Sequence, residues 1–287
     1  MKVKKMFLFL LIFQIMVNAQ IKGKVIDEKN NSIAYVNIWV ENESIGATSE
    51  ENGEFLINLK DKNKKLIFSA LGFEKRTITA SDAEIVVLKA TNYLIEEVVI
   101  SKKQETKEIV IGRTDNPISM AFDNGPRIDV KYFPYKPEYK KVKHLKLVSI
   151  IADNRIELAT IKIHFYKVDE NGFPGDEMLL KDFVVNLKNG TRKSVFNIAD
   201  FNLKMPLNGL FVGFEKLIIE KNKLEKTIVD ANTNTTKIQK TYFPFVLYNF
   251  VEREFLFTFS GGKWNRQSNT PNKIMVYEPS INLTLTN

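Results

Sequence analysis

Short apolar runs of period two, separated by turn residues, dominate this chain and limit the folds open to it. Period two is the repeat of a half-buried β-strand, and no convincing stretch of helical period interrupts the runs. We therefore predict an all-β fold in which the first unit is a sandwich. The runs of this first unit are Ile21/Gly23/Val25, Val36/Ile38/Val40, Phe55/Ile57/Leu59, Leu66/Phe68 and Ile85/Val87.

The acidic segment 47–59 has the composition of a calcium loop without its spacing. An EF-hand loop needs a glycine at its sixth position and a bidentate glutamate at its twelfth. With Gly53 as the sixth residue, the twelfth is the apolar Leu59. The pair Asn52-Gly53, followed by Phe55 at period two, instead predicts a tight hairpin turn that feeds a half-buried strand.

The first 19 residues have the features of a secretory signal peptide. Three lysines precede an apolar run at 6–13, and a small residue, Ala19, stands before Gln20. The apolar run is too short to span a bilayer, so we expect cleavage between Ala19 and Gln20 and export of the chain. The formal net charge then falls from +8 to +5, because residues 1–19 carry three lysines and no acidic residue.

Composition excludes several classes of protein. The chain has no cysteine, which removes disulfide scaffolds, thiolate metal sites, cysteine nucleophiles and lipid attachment at a cysteine. The modest basic charge is spread along the chain, which favours solubility or loose attraction to acidic envelope surfaces over a nucleic-acid groove. After the signal peptide no apolar stretch reaches the ~18 residues of a membrane helix, so we expect at most peripheral membrane contact.

Residues 20–90 contain a set of short motifs at turns and strands: Gly23-x-Val25-x-Asp27, Val36-Asn37-Ile38, Gly46-Ala47-Thr48, Gly53-Glu54-Phe55 and Ser69-Ala70-Leu71-Gly72-Phe73. With these motifs the segment resembles the carboxypeptidase regulatory-like domain, a transthyretin-like Greek-key sandwich that is also found at the N-termini of TonB-dependent outer-membrane receptors. The resemblance implies a small β-sandwich, in which Gly53 takes the positive φ of a turn, Phe55 fills the core, and Gly72 turns Phe73 inward.

Residues 91–127 are predicted to form an extended segment and a charged linker. In the receptors with a similar N-terminal domain, a segment like Leu94–Ile100 is associated with coupling to TonB, and the residues that suggest a partner are Leu94, Val98, Val99 and Ile100. The remaining chain is too short for a receptor-sized barrel. We therefore favour an extended strand at the edge of the sandwich and keep a partner segment as the alternative.

Residues 128–287 again have strand-like runs and predict a second, jelly-roll-like β-sandwich. The segment around Tyr166, with turns at Asn171-Gly172 and Pro174-Gly175, resembles an uncharacterised C-terminal sandwich found behind carboxypeptidase-like domains in envelope proteins. That resemblance implies an architecture and no activity.

Catalytic and metal sites are not indicated, and we predict neither an enzyme nor a cofactor. A metallocarboxypeptidase holds zinc with two histidines and a glutamate, whereas this chain has only His144 and His164, neither followed three residues later by glutamate. His164 lies opposite three apolar residues of a strand, which favours a solvent-facing or hydrogen-bonded imidazole. A hairpin holds four acidic residues that we expect in a solvated loop, although a carboxylate pair stays open. These residues are Asp169, Glu170, Asp176 and Glu177.

Two aromatic segments, 130–141 and 241–250, share the sequence Tyr-Phe-Pro followed by an aromatic residue. Tyrosine with lysine forms surfaces that stack on sugars or pack against a partner, while the structural alternative makes Phe133 and Phe243 core residues on edge strands. Trp264 likewise suits either a sugar platform or the closing of a core. The candidate ligand platform consists of Tyr132, Tyr135, Tyr139 and Trp264.

The function that the sequence favours is structural or recognition work by an exported, non-enzymatic envelope protein. Its location would be the periplasm, the outer membrane or the cell surface. The alternatives are a glycan-binding module and an accessory of a TonB-dependent outer-membrane receptor, so the expected partners are a glycan or an outer-membrane protein.

Overall fold

The computed structural model describes residues 20–91, 107–112, 119–122, 125–229, 235–268 and 274–287. Within these ranges the regular elements are strands and short 3-10 turns, with no α-helix, which confirms the all-β prediction. The strands are β1 (Gln20–Asp27), β2 (Asn37–Val40), β3 (Gly46–Thr48), β4 (Glu54–Asn58), β5 (Lys65–Ser69), β6 (Arg76–Thr79), β7 (Ile85–Leu88), β8 (Glu108–Ile111), β9 (Ser119–Ala121), β10 (Ile128–Phe133), β11 (His144–Val168), β12 (Pro174–Glu177), β13 (Phe183–Asn197), β14 (Leu210–Lys216), β15 (Lys223–Val229), β16 (Thr236–Tyr242), β17 (Phe245–Arg253), β18 (Phe255–Ser260), β19 (Lys263–Ser268), β20 (Ile274–Pro279) and β21 (Ile281–Thr286).

The first sandwich consists of two sheets that enclose one apolar core. One sheet has the strand order β4-β1-β7 and the other β3-β2-β5-β6, and the only parallel pair among these strands is β1 with β7. Phe55 and Phe68 meet edge to face in the core, with ring centroids 5.5 Å apart. Alternate residues of β4 are buried, as period two predicts.

The turn at Asn52-Gly53 is present, but it does not close a hairpin. It connects β3 to β4, which belong to different sheets, and β4 pairs with β1. Gly53 has the expected positive φ of 79°, and a Cβ atom there would lie 2.5 Å from the carbonyl oxygen of Val25. The hairpin prediction was wrong because β-turn chemistry also suits a crossing between the layers of a sandwich.

The second unit is built on one long strand, β11. Its principal path has the strand order β19-β18-β10-β14-β11-β17-β20, with β12, β13 and β21 also paired to β11. The pairing of β11 with β13 extends over most of the 15 residues of β13 and shifts register between Asn154 and Leu158. Strands β15 and β16 form a separate two-stranded sheet.

Both faces of β11 are buried over residues 159–165. Ile161, Ile163 and Phe165 point into the second core, as their spacing predicts. Lys162 and His164 point the other way, yet they are only 2% and 9% exposed. The first sandwich and the β11–β12 turn region contact this face, so polar residues of the strand lie in an interior rather than in solvent.

Several contacts fix the junction between the sandwiches. The Asn37 side chain donates to Glu215, the Thr48 hydroxyl accepts from the backbone N–H of Ile218, and Trp39 packs edge to face on Phe259. The junction thus combines polar and aromatic contacts from two strands of the second unit, β14 and β18, and from the loop after β14.

Some predictions concern residues outside the described ranges. The signal peptide with Ala19 lies there, and Gln20 is the first residue of β1. The segment with Leu94, Val98, Val99 and Ile100 also lies there. Within the described ranges no helix has the length and hydropathy needed to cross a membrane.

Candidate functional site

A cleft of about 710 Å³ opens beside the C-terminal end of β10. Its walls come from β8, from β10 and the 3-10 turn that follows, and from the connection between β17 and β18. Aromatic rings contribute much of these walls, among them Tyr132, Tyr139 and Phe255. Concave sites with apolar walls and a few fixed polar groups are the usual form of ligand sites.

The floor of the cleft holds a buried carboxylate between two cations. Glu278, on β20, is 3% exposed and accepts from Nε and a terminal nitrogen of Arg253, at 2.6 and 2.8 Å. The Nζ atom of Lys131 lies 3.0 Å from the same carboxylate and also donates to the carbonyl oxygen of Gly112. These contacts link β10 to β17 and β20, which are not its neighbours along the strand path.

The environment of Lys131 has opposing effects on the pKa of its ammonium group. Burial lowers the pKa of Lys131, Glu278 works against that effect, and the positive charge of Arg253 adds to it. The outcome is a pKa below the usual range for lysine. The Lys131 ammonium also lies 5.6 Å from the ring centroid of Phe133, within cation–π range.

The four platform residues divide between two places. Tyr132 and Tyr139 line the cleft, and Tyr135 packs edge to face on Tyr139. Trp264 lies away from it, on β19, where it contacts Phe259 and Tyr166. The four residues therefore do not form one continuous surface.

The cleft tyrosines are held in place by packing. The ring of Tyr132 contacts Phe211 and Phe255 at centroid distances of 5.0 and 5.7 Å, and its hydroxyl donates to the backbone carbonyl of Asn208. Burial raises the pKa of Tyr132, and Glu254 adds to the effect.

Phe133 is buried, in agreement with the interpretation of this residue as part of a core. Its strand, β10, is an interior strand between β14 and β18 and not an edge strand. Phe243 is also buried, between β16 and β17.

A second polar cluster lies at the junction of the sandwiches, around His164. Its Nδ1 lies 2.9 Å from Glu177 and its Nε2 lies 3.0 Å from Glu215. Burial alone would lower the pKa of His164, but the hydrogen bonds and charges of the two glutamates outweigh it and raise that pKa to about 9. The imidazole is therefore protonated at neutral pH and donates to both carboxylates.

Lys162 and Asp182 extend this cluster towards the first sandwich. The Lys162 ammonium donates to the backbone carbonyl of Tyr35 at 2.7 Å and lies 2.9 Å from Asp182. Burial would raise the pKa of Glu215, but Lys162, His164 and Asn37 together lower it. The result is a charged network across the junction.

The solvated-loop prediction was wrong for Glu177. Its carboxylate accepts from His164 and from the backbone N–H of Phe165, and its side chain is 11% exposed. Asp169 does hold the turn, where its carboxylate accepts from the N–H groups of Asn171 and Phe173. Glu177 is buried because β12 pairs with β11 and places it beside His164.

Sequence reasoning also missed Glu215, Lys162 and Glu278. Each is a charged residue within a strongly apolar strand, and such a residue is buried when another element covers its face. The alternation of Ile161-Lys162-Ile163-His164 shows that Lys162 and His164 share one face of the strand. It does not show which element of the fold covers that face.

The His164 cluster does not have the geometry of a metal site. Each imidazole nitrogen is occupied by a glutamate, and the described residues contain no group of three or more potential ligands able to hold a metal ion. His144 is twenty residues away, at the start of β11. In this arrangement hydrogen bonds hold the charged side chains of His164, Glu177 and Glu215 in place at the junction between the sandwiches.

Comparison with known proteins identifies the first sandwich. Residues 21–100 match the CarboxypepD_reg-like domain family, which agrees with the resemblance in its motifs. The match covers the first sandwich and the segment that follows it. No curated protein matches the chain.

Three solved structures with weak similarity to this chain are 10–12% identical to it. A DUF3823 family protein from Bacteroides ovatus is 12% identical, with 81% of this chain and 97% of that chain covered and a TM-score of 0.21. A structure of infectious bursal disease virus, Gx strain, is 10% identical, with 93% and 64% covered and a TM-score of 0.23. The major pilin subunit BcpA of Bacillus cereus is 10% identical, with 94% and 84% covered and a TM-score of 0.18.

Proposed function

We propose that this protein is an exported, non-catalytic recognition protein of the cell envelope and that its ligand occupies the cleft beside β10. The observation that carries the proposal is the combination of a roomy concavity, aromatic walls and a fixed charged floor formed by Lys131, Arg253 and Glu278. Orientation in such a site comes from a few polar groups, and contact area comes from the apolar walls.

The match to the CarboxypepD_reg-like domain supports a non-catalytic role, since this family is a regulatory-like module. The two clusters of charged residues support it too. In each, the cations and carboxylates bind one another, and the His164 imidazole is saturated by two glutamates. A general base would need a free nitrogen within reach of a substrate proton.

The first experiment is a binding screen of the purified mature chain on immobilised cell-wall and plant glycans. Val110 lines the cleft and is 40% exposed, so Val110→Trp would place a bulky ring in the cleft and obstruct a ligand with little effect on the core. Val195, on β13 and outside the cleft, is 53% exposed, and Val195→Trp is the matched control. We expect binding that Val110→Trp abolishes and Val195→Trp preserves. Binding that survives Val110→Trp would place the ligand elsewhere.

Glycan is the ligand class that the cleft favours, because Tyr132, Tyr139 and Phe255 lie along one concavity. Tyr135 belongs to the same surface through Tyr139, whereas Trp264 would serve only a separate contact. An absence of binding to every glycan would remove this class and leave a protein partner.

Export and membrane association are part of the same proposal. Cell fractionation and intact mass should find the mature chain in the envelope fraction, beginning at Gln20. A receptor partner predicts that crosslinked purification enriches one barrel protein, and that scrambling residues 94–100 removes it. A cytoplasmic chain that keeps residues 1–19 would contradict the localisation.

A separate peptidase assay tests whether the protein lacks catalytic activity. Incubation with a peptide panel and zinc should release no C-terminal residues above a heat-inactivated control. Zinc-stimulated release would overturn the non-catalytic assignment without bearing on the cleft.

A further inference from the structure

The floor of the cleft carries more positive than negative charge. Two cations, Lys131 and Arg253, share the single carboxylate of Glu278, and Lys131 and Glu278 are both 3% exposed. Burial lowers the pKa of Lys131 and the nearby charge of Arg253 lowers it further, so the shared carboxylate of Glu278 does not offset both cations. An anionic group in the cleft would offset this charge.

Lys131 and Arg253 each have N–H groups that the contacts with Glu278 and the backbone do not use. A guanidinium has five N–H donors and an ammonium three. Arg253 uses three of its donors, two on Glu278 and one on the backbone carbonyl of Glu252. Lys131 uses two, on Glu278 and on the carbonyl of Gly112. Within the described part of the chain this leaves two donors of Arg253 and one of Lys131 for a ligand.

The rim of the cleft limits how much negative charge the ligand brings. Glu138, Glu252 and Glu254 line the outer part, with Lys136 as the one opposing cation there. These rim carboxylates are exposed to solvent, so they act weakly on a single charge held at the floor. They disfavour a dianion or a dense polyanion more strongly than a group with one charge.

We propose that the cleft binds a saccharide that carries a carboxylate, a uronic acid, with the carboxylate at the free donors of Arg253 and Lys131 and the sugar ring against the aromatic wall. This deepens the proposed function and rests on it. Arginine suits the role because its planar fork matches a carboxylate, and charge-assisted hydrogen bonds of this kind are the stronger ones. Tyr132 and Phe255 offer the ring an apolar wall next to those donors.

The test compares acidic oligosaccharides with their own neutral forms. Calorimetric titration of the mature chain would use a panel of oligouronides that each carry a single uronic acid residue among neutral sugars, the same oligosaccharides after reduction of that carboxyl group to an alcohol, and inorganic phosphate. For at least one oligouronide we expect a Kd about tenfold below that of its reduced form, the size of effect that one charge-assisted contact produces. Phosphate should bind at least tenfold more weakly than the oligouronide.

Variants then locate the contact. The Arg253 side chain is 38% exposed, so Arg253→Gln perturbs the core less than a change at Lys131 would. It should raise the Kd for the acidic ligand about tenfold and leave the Kd for the reduced ligand unchanged. Arg192→Gln, on the exposed face of β13, is the control and should change neither. If Arg253→Gln lowers the Tm strongly, Arg253→Lys keeps the charge and should lose only part of the preference.

The outcomes of these titrations distinguish the carboxylate site from glycan recognition in general. Equal binding of acidic and reduced ligands would overturn the carboxylate site and leave glycan recognition standing. Binding of neither, together with no binding in the wider glycan screen, would overturn glycan recognition itself. Phosphate binding that equals oligouronide binding and competes with it would show a general anion site and overturn the saccharide assignment.

Discussion

The Nε2 atom of His164 lies 3.0 Å from Oε2 of Glu215, and this hydrogen bond joins two neighbouring strands at the junction of the sandwiches. Glu215 also accepts from Asn37 of the first sandwich. A protonated imidazole is required for both contacts of His164, because a neutral ring has one N–H and one bare nitrogen. The protonation state of one histidine is therefore coupled to the stability of the junction.

The stability of the protein should fall at alkaline pH through His164. Its pKa in the folded chain is about 9, above the 6.5 of an unperturbed histidine. The contribution is thus fully present below pH 6.5 and is lost as the pH rises through 9. A shift of this size corresponds to on the order of 3 kcal/mol. Urea unfolding between pH 6 and pH 10 measures it.

The variant His164→Gln isolates the effect from other groups that titrate in this range. Glutamine keeps polar atoms in the site but has no charge to lose, so its unfolding free energy should depend less on pH between 6.5 and 9 than that of the wild type. Parallel pH profiles for the two proteins would show that His164 is not charged in the folded state.

Removal of the Lys162 charge should destabilise the protein strongly. Lys162→Met leaves the Asp182 carboxylate without its cation and the carbonyl of Tyr35 without its donor, and it removes one of the two cations, with His164, that stabilise the buried Glu215. Breaking a buried charge network by the loss of one partner costs about 3–5 kcal/mol. Lys167→Met, an exposed lysine on the same strand, should cost less than about 0.5 kcal/mol. A similar loss for both variants would argue that hydrophobic substitution on β11, rather than the lost charge, is responsible.

The sequence predicted the strands and the first sandwich because their signals are local. Alternation marks Phe55 and Ile57 as core residues of β4, and the positive φ of Gly53 follows from a turn that L-residues disfavour. The family resemblance placed the same segment in a known small fold, and the family match agrees with it.

The two charged clusters were not predictable in the same way. Glu215 and His164 are 51 residues apart, and Lys131 and Glu278 are 147 residues apart, so their contacts depend on how the sheets stack. A pattern within one strand reports which side chains share a face but not what covers that face. The burial of Glu177, expected in a solvated loop, shows the same limit.

Two glycines with similar backbone angles should respond differently to alanine. Gly53 and Gly72 have φ values of 79° and 87°, so a side chain costs about 1–2 kcal/mol of backbone strain at either. At Gly72 no atom lies within 4 Å of the added Cβ, whereas at Gly53 the carbonyl oxygen of Val25 lies 2.5 Å away. Gly53→Ala should therefore lower the unfolding free energy by about 1–3 kcal/mol more than Gly72→Ala. Equal losses in denaturant titrations would mean that the Gly53 turn relaxes to accept the methyl group.

Phe259 should couple the two sandwiches in unfolding. Its ring contacts Trp39 of the first sandwich and Trp264 of β19, at centroid distances of 5.9 and 5.2 Å. These are the two tryptophans of the chain, so tryptophan fluorescence reports on this junction. In the wild type we expect fluorescence and far-UV circular dichroism to follow one unfolding transition.

Phe259→Ala should cost about 2 kcal/mol through lost burial and ring contacts. It should also separate the two signals, with fluorescence changing at lower denaturant, because the contact that joins the sandwiches is weakened while each core is kept. Phe250→Ala is the control, since Phe250 packs on Tyr277, a residue of β20. It should lower stability without separating the signals. Coincident transitions in Phe259→Ala would mean that the polar contacts of Asn37, Lys162 and Thr48 suffice to couple the two sandwiches.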